Sequence, residues 1–336
     1  MNCDDLGWFH AKDPPLQKEG ATLNRLKSTA KGEDTEGPFS SLTYDTLDTK
    51  NSALTETDIM YLSAFINDTY LKKEAIKEIR EQFEEDSSVQ LRNFLKSDLA
   101  SRINIACGKI DKDDNVGRGN SSLNYDIGTG NGWEAVGPAH KQRFLKYEGT
   151  EIAEKEGAGE LLEYVQKNLF QSPIFGKFLS NVSSLGLPIG HRGKIRRFRP
   201  GLDYTVAHYG ILTTSSVLDT TLCFVAGDGS QPIYDEVTEE LTGSDDDALW
   251  ASGDVGGFEC YIAAEDDDNE ADEEYDAEND AELLSVSACN NTLSLVYRDP
   301  GTMRFVKYVG SGAPGSRWDL SLEYEIKDDD EDESLK

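Results

Sequence analysis

The hydrophobic period of this chain changes once, near residue 190, and that change limits the folds open to it. Before it, apolar residues recur at intervals of three and four, the spacing that lays them on one face of a helix. Ile59, Leu62, Phe65 and Ile66 form one such set behind Thr57 and Asp58, which predict the cap. Ile76, Ile79 and Phe83 form another over 72–85, and Leu91, Phe94, Leu95 and Leu99 predict a third, short helix. A fourth helix is predicted over 160–170. A fifth opens on Ser172 and Pro173, an N-cap and N1 pair, and stops at Gly186. Between them, 111–132 is rich in Gly, Asn and Asp and predicts an irregular loop.

After residue 190 short runs of β-branched and aromatic residues alternate with turn residues. Strands are predicted at 194–199, 205–213, 217–225, 257–263, 283–286, 292–297, 304–309 and 318–326. Helices first and strands later is the order of an α+β domain. So many short strands predict a closed jelly roll, with the packing helices mostly N-terminal to the strands.

Charge decides what surrounds that domain. The 336 residues carry a formal charge of −31, which repels phosphate and makes nonspecific binding to nucleic acid or an anionic membrane unfavourable. No stretch nears the roughly 18 apolar residues of a membrane span. Residues 1–54 are polar and aperiodic and predict a mostly disordered linker. Residues 265–282 hold twelve carboxylates between two predicted strands, which marks a loop insertion in a domain spanning 55–327. Residues 328–336 are an acidic tail. Five widely spaced cysteines without a Cys-x-x-Cys predict reduced, buried thiols of an intracellular protein.

Several motifs occur together and in order: Ala75-Ile-Lys-Glu-Ile-Arg-Glu-Gln-Phe, Val136-Gly-Pro-Ala-His-Lys-Gln-Arg-Phe-Leu, Arg197-Phe-Arg-Pro-Gly-Leu-Asp-Tyr-Thr and Asp299-Pro-Gly-Thr-Met-Arg-Phe-Val-Lys-Tyr-Val. Over residues 55–327 the chain resembles the C-terminal domain of the two-domain prolyl hydroxylases that modify a small-subunit ribosomal protein. That resemblance implies a double-stranded β-helix lying behind a catalytic one. The island Leu6-Gly7-Trp8-Phe9-His10 is similar to the end of that catalytic domain. The parent family uses Fe(II), 2-oxoglutarate and ascorbate; for this chain the resemblance implies no cofactor of its own.

The residues at the matching places explain why. An iron(II) oxygenase needs two His and one carboxylate on one side of the metal. His208 fits the first place, but Gly210 stands where the carboxylate should be, two residues on and on the same strand face. Arg304 stands where the distal His is expected, and a guanidinium has no lone pair for a metal. Arg317 sits about where active domains hold the oxoglutarate carboxylate. These four form a vestigial site: decay, the expected outcome, predicts that Arg304 points out or pairs with a carboxylate, whereas reuse predicts that Arg304, Arg317 and His208 converge on one pocket as an anion site. Arg192, Lys194, Arg196, Arg197 and Arg199 make the most basic stretch, either a patch or a set of internal ion pairs, with pairing favoured.

Three readings follow. The first is a noncatalytic module that binds ribosomal or regulatory proteins, in nucleus and cytoplasm. The second is a fragment of an active prolyl dioxygenase acting on a ribosomal protein. The third is an RNA- or ribosome-associated module using the basic stretch, with nucleic acid a weak candidate partner.

Overall fold

The computed structural model describes residues 37–44, 52–120, 124–149, 156–207, 215–227, 233–235, 240–242, 245–263 and 282–326. Five helices form a layer: α1 (Glu56–Leu62), α2 (Lys73–Asp86), α3 (Ser97–Asp113), α4 (Ala158–Val165) and α5 (Pro173–Ser183). A sixth, α6 (Asp245–Ala251), lies among the later strands. The cap of α1 is Thr55 rather than the expected Thr57. The Asp58 amide donates to Thr55 Oγ1 and the Thr55 amide to Asp58 Oδ2, so two orphan donors of the first turn are satisfied together. Asp58 also receives Lys177 Nζ of α5 at 2.6 Å, a buried bridge that ties the two helices. Ser172 caps α5 as expected. The helix ends at Ser183 with Ser184 in the left-handed region, earlier than Gly186.

Nine strands build the larger sheet. Its path runs β2 (Ser88–Leu91), β12 (Thr292–Arg298), β7 (Val217–Phe224), β14 (Arg317–Glu325), β5 (Gly190–Phe198), β4 (Gln142–Tyr147) and β3 (Trp133–Val136). To this path β1 (Ser40–Ser41) adds on β5 and β6 (Tyr204–Thr205) on β4. The smaller sheet has the order β11 (Glu282–Val286), β10 (Glu259–Ala263), β13 (Thr302–Val306). A short hairpin, β8 (Ile233–Asp235) with β9 (Glu240–Thr242), completes the described strands. The pairings are antiparallel, and side chains of the smaller sheet meet one face of β7 and β14. Two antiparallel sheets face to face, with helices on the far side of the larger one, make the double-stranded β-helix.

Alternation along the strands sends apolar residues to the helices. Trp318, Leu320, Leu322 and Tyr324 of β14 all lie on that side and are buried. They join Phe170, Phe175 and Phe178 of the helical layer in one core. Gly159 of α4 lies so close to Tyr147 that a Cβ there would fall 2.2 Å from the ring.

Some expectations are corrected. Within 1–54, Ser40 and Ser41 pair with His191 and Gly190, and Leu42 is buried, so part of the predicted linker belongs to the sheet. Leu91 lies in β2, and the helix after it runs to Asp113 rather than staying short. The loop over 111–132 therefore starts later, and 133–147 supplies two strands that no strict alternation announces. Residues 264–281, 328–336 and the predicted strand beyond 207 lie outside the described residues, as do His208, Gly210 and the island at 6–10.

Candidate functional site

The face of the larger sheet turned away from the helices carries charge. Along β14 the residues on that face are Arg317, Asp319, Ser321 and Glu323; along β7 they are Asp219, Thr221 and Cys223. Arg196 of β5 and Arg298 of β12 complete it, while β10 and β13 bring Glu259, Tyr261 and Arg304 from across the gap. Four guanidinium groups and four carboxylates are thus enclosed between two sheets.

Their pairing is dense. Arg304 donates through Nε and Nη2 to Glu259 at 3.0 and 2.8 Å, and its Nη1 lies 3.1 Å from Asp219. Its Nη2 also reaches Thr221 and Ser321 at 2.8 and 2.6 Å. Arg317 bonds Asp319 at 3.0 Å and lies 3.7 Å from Glu259. Arg298 binds Asp219 at 2.7 Å and Glu323 at 2.5 Å. Burial by itself would raise the Glu259 carboxyl, but Arg304, Arg317 and Arg196 outweigh it and hold it at about 2. Burial opposes the charge of Arg304 as well, and Asp219 and Glu259 overcome it, so its pKa rises well above the ordinary value. A buried charge is stable only when partnered in this way.

Arg304 and Arg317 therefore do converge, and what they meet is the carboxylate of Glu259. Arg304 sits on β13 with an oxygen acceptor against every nitrogen of its guanidinium.

The basic stretch does not form an exposed patch. Arg197 and Arg199 are fully buried. Arg197 turns toward the helices, where it binds Asp111 and Asp114 at the end of α3 and stacks on Trp318. Arg199 closes a two-point pair with Asp203. Arg196 binds Asp319, Arg192 binds Glu323, and half-buried Lys194 lies over the Phe144 ring. The reason is alternation in a strand with structure on both faces: over 195–198 neither face of β5 is left to solvent.

Sequence reasoning misses the carboxylates of this cluster. Their signal is present in Arg317-Trp-Asp-Leu-Ser-Leu-Glu-Tyr, where polar and apolar residues alternate without a break. The polar half reads at first as a wet face, and only a second sheet shows it to be an interior.

Residues 57–332 match the family model described as oxoglutarate and iron-dependent oxygenase degradation C-term. The chain belongs to that family. Among curated relatives, a prolyl 3,4-dihydroxylase OGFOD1 of Ostreococcus tauri is 34% identical over 324 residues, covering 95% of this chain and 58% of its own. A prolyl 3-hydroxylase OGFOD1 of Xenopus laevis is 28% identical, over 75% of this chain and 44% of its own. The chain thus spans about half the length of these relatives. Among solved structures, a Pseudomonas putida prolyl-4-hydroxylase aligns with 75% of this chain and 99% of its own, at 10% identity and a TM-score of 0.39. That likeness adds nothing to the strand order described above. Family membership and jelly-roll fold agree with what the motifs implied.

Proposed function

We propose that this chain is a noncatalytic oxygenase-like domain that binds protein partners and regulates a prolyl hydroxylase working in translation or oxygen-dependent control. Arg304 carries the reading. It occupies the place of a metal ligand, cannot donate to a metal, and is committed to Glu259 and Asp219. The donor set around it does not fit iron(II), so the chain itself uses no Fe(II), 2-oxoglutarate or ascorbate; those serve the catalytic portion of a whole family protein. Its partners are ribosomal or regulatory proteins met in nucleus and cytoplasm. An RNA-binding role through the basic stretch is disfavoured, because Arg196, Arg197 and Arg199 are buried and Arg192 is paired with Glu323.

The test is oxoglutarate turnover by the purified chain with iron, ascorbate and proline-containing peptides. No succinate above a metal-free control is expected. Turnover that survives Arg304→Ala and needs iron would overturn the proposal and favour the fragment of an active dioxygenase.

A further inference from the structure

The two sheets end beside each other along one flank of the domain. β2 ends the larger sheet and β11 the smaller one, and among the described residues neither has a strand on its outer side. Between them runs a groove of about 760 Å³, walled by β2, β12 and β11 and by Gln82 and Asp86 of α2. That space falls in the range of roughly 300–1,000 Å³ in which proteins hold ligands. Antiparallel pairing fixes which backbone groups of β2 are left over. The Tyr297 amide donates to the Ser87 carbonyl, so alternation turns Val89 and Leu91 toward β12. The N–H and C=O groups of Ser88 and Gln90 then point outward from the sheet edge. Among the described residues, none bonds to those outward groups.

The two sides of the groove differ in kind. Val89 and Leu91 join the core under the helices, so Ser88 and Gln90 turn their side chains toward the smaller sheet. Gln90 Nε2 accordingly donates to the Ser287 carbonyl and Ser294 Oγ at 3.2 and 3.4 Å. The wall on that side is apolar, with Leu284, Val286 and Val296 packed in one cluster. On the helical side stands the C-terminal end of α2. Asp86 lines the groove there, and helical spacing sets Glu78 and Glu85 beside Gln82 on the same face. All three carboxylates are exposed, and the last turn holds no basic residue. The helix dipole adds its negative end. Arg92, the one cation on the wall, is engaged by the Cys289 sulfur.

We infer that this groove binds an extended, basic segment of a partner protein, which adds to β2 as an antiparallel tenth strand of the larger sheet. Such a strand presents alternate side chains to the two walls. Residues opposite Ser88 and Gln90 share their face, meet Leu284, Val286 and Val296, and are apolar. The residues between them meet the end of α2 and are Lys or Arg. The charge of −31 draws such a segment in and repels RNA or an anionic membrane. A second copy of the chain suits the edge less well, because it brings the same acidic helix end against its own kind.

The inference rests on the reading of the chain as a protein-binding module. Fluorescence anisotropy of the full chain is measured with a labelled Lys-Val-Lys-Val-Lys-Val-Lys peptide. Saturable binding is expected, at least tenfold weaker for the block peptide Lys-Lys-Lys-Lys-Val-Val-Val and for Glu-Val-Glu-Val-Glu-Val-Glu. N-methylation of the valine amides removes the bonds to β2 and should cost at least tenfold. N-methylation of the lysine amides, which point away, should cost less than threefold. Gln82→Lys combined with Asp86→Lys, both on the exposed helix end, should weaken binding at least tenfold without lowering the thermal midpoint. No saturable binding, equal binding of the block peptide, indifference to valine methylation or full binding by the double variant would overturn the groove. So would a dimer of the chain that the double variant abolishes, which would assign the edge to a second copy. Succinate production is read separately: turnover sinks the noncatalytic reading whatever the peptides do, and peptides that fail to bind sink only the groove.

Discussion

Arg196 and Asp319 face each other in register across β5 and β14 and close a two-point ion pair, Nε to Oδ1 at 2.7 Å and Nη2 to Oδ2 at 3.0 Å. The pair is one rung of a charged interior, and neighbouring rungs share their members. Glu259 meets Arg196, Arg304 and Arg317 together. Removing one member therefore leaves several others buried without a partner.

Arg304→Met tests that coupling. It strips Glu259 and Asp219 of a guanidinium while keeping most of the side-chain volume. A loss of about 3–5 kcal/mol in unfolding free energy is expected, the usual cost of orphaning a buried charge. Urea denaturation measures it, and a loss under about 1 kcal/mol would show that water or a rearranged neighbour replaces the arginine.

Acid should reach the same cluster. The Glu259 carboxyl falls from an ordinary 4.5 to about 2 in the folded chain. A depressed carboxyl contributes stability that is fully present above pH 4.5 and is lost as pH falls toward 2. The contribution is roughly 3 kcal/mol, at 1.36 kcal/mol per unit. Glu259→Gln should be less stable than the wild type at pH 7, with a difference that shrinks steadily below pH 4.5. A constant difference from pH 7 to pH 2.5 would contradict the assignment.

Thiol chemistry offers an independent check on packing. Cys107, Cys223, Cys260 and Cys289 are buried thiols outside any disulfide. Burial raises the Cys223 thiol to about 12 and Cys107 well above its ordinary value. Alkylation of the native chain followed by peptide mapping should leave Cys107 and Cys223 unmodified until denaturant is added. Labelling of either within minutes at neutral pH would mean that the core opens readily.

The contact between α4 and β4 depends on the missing side chain of Gly159. Gly159→Val places methyl groups into the Tyr147 ring, and overpacking of this kind costs about 1–3 kcal/mol. Pairing it with Tyr147→Ala should recover part of the loss. Losses that simply add would indicate that the helix shifts instead.

Much of this architecture is legible in the residues. The change of period near 190 separates helices from strands, and most of the described later strands fall where alternation places them. Arg304 and Arg317 are singled out by motif position, and the fold brings both to Glu259. What the residues hide is any feature that needs a partner distant in sequence. Ser40 and Ser41 carry no apolar pattern, and only pairing with β5 makes them a strand. Glu259 looks like one acid among many until β13 and β14 bring Arg304 and Arg317 to it. Arg197 and Arg199 look available for a ligand because their acidic partners lie on a helix end and in a turn.

The pairing of β2 with β12 joins Leu91 to Leu293, and it sets a timetable for the chain on the ribosome. At about 5–20 residues per second, roughly 10–40 s separate the emergence of the two strands. The helical layer is made early, while the sheet that covers its apolar face is complete only when β14, near the end, has been synthesised. Phe94, Phe175 and Phe178 can meet one another within the helical layer, but Tyr324 of β14, against which Phe175 packs in the finished domain, is not yet made. A fold that places its helices first and its central strand last exposes apolar surface during synthesis that its mature stability does not reveal.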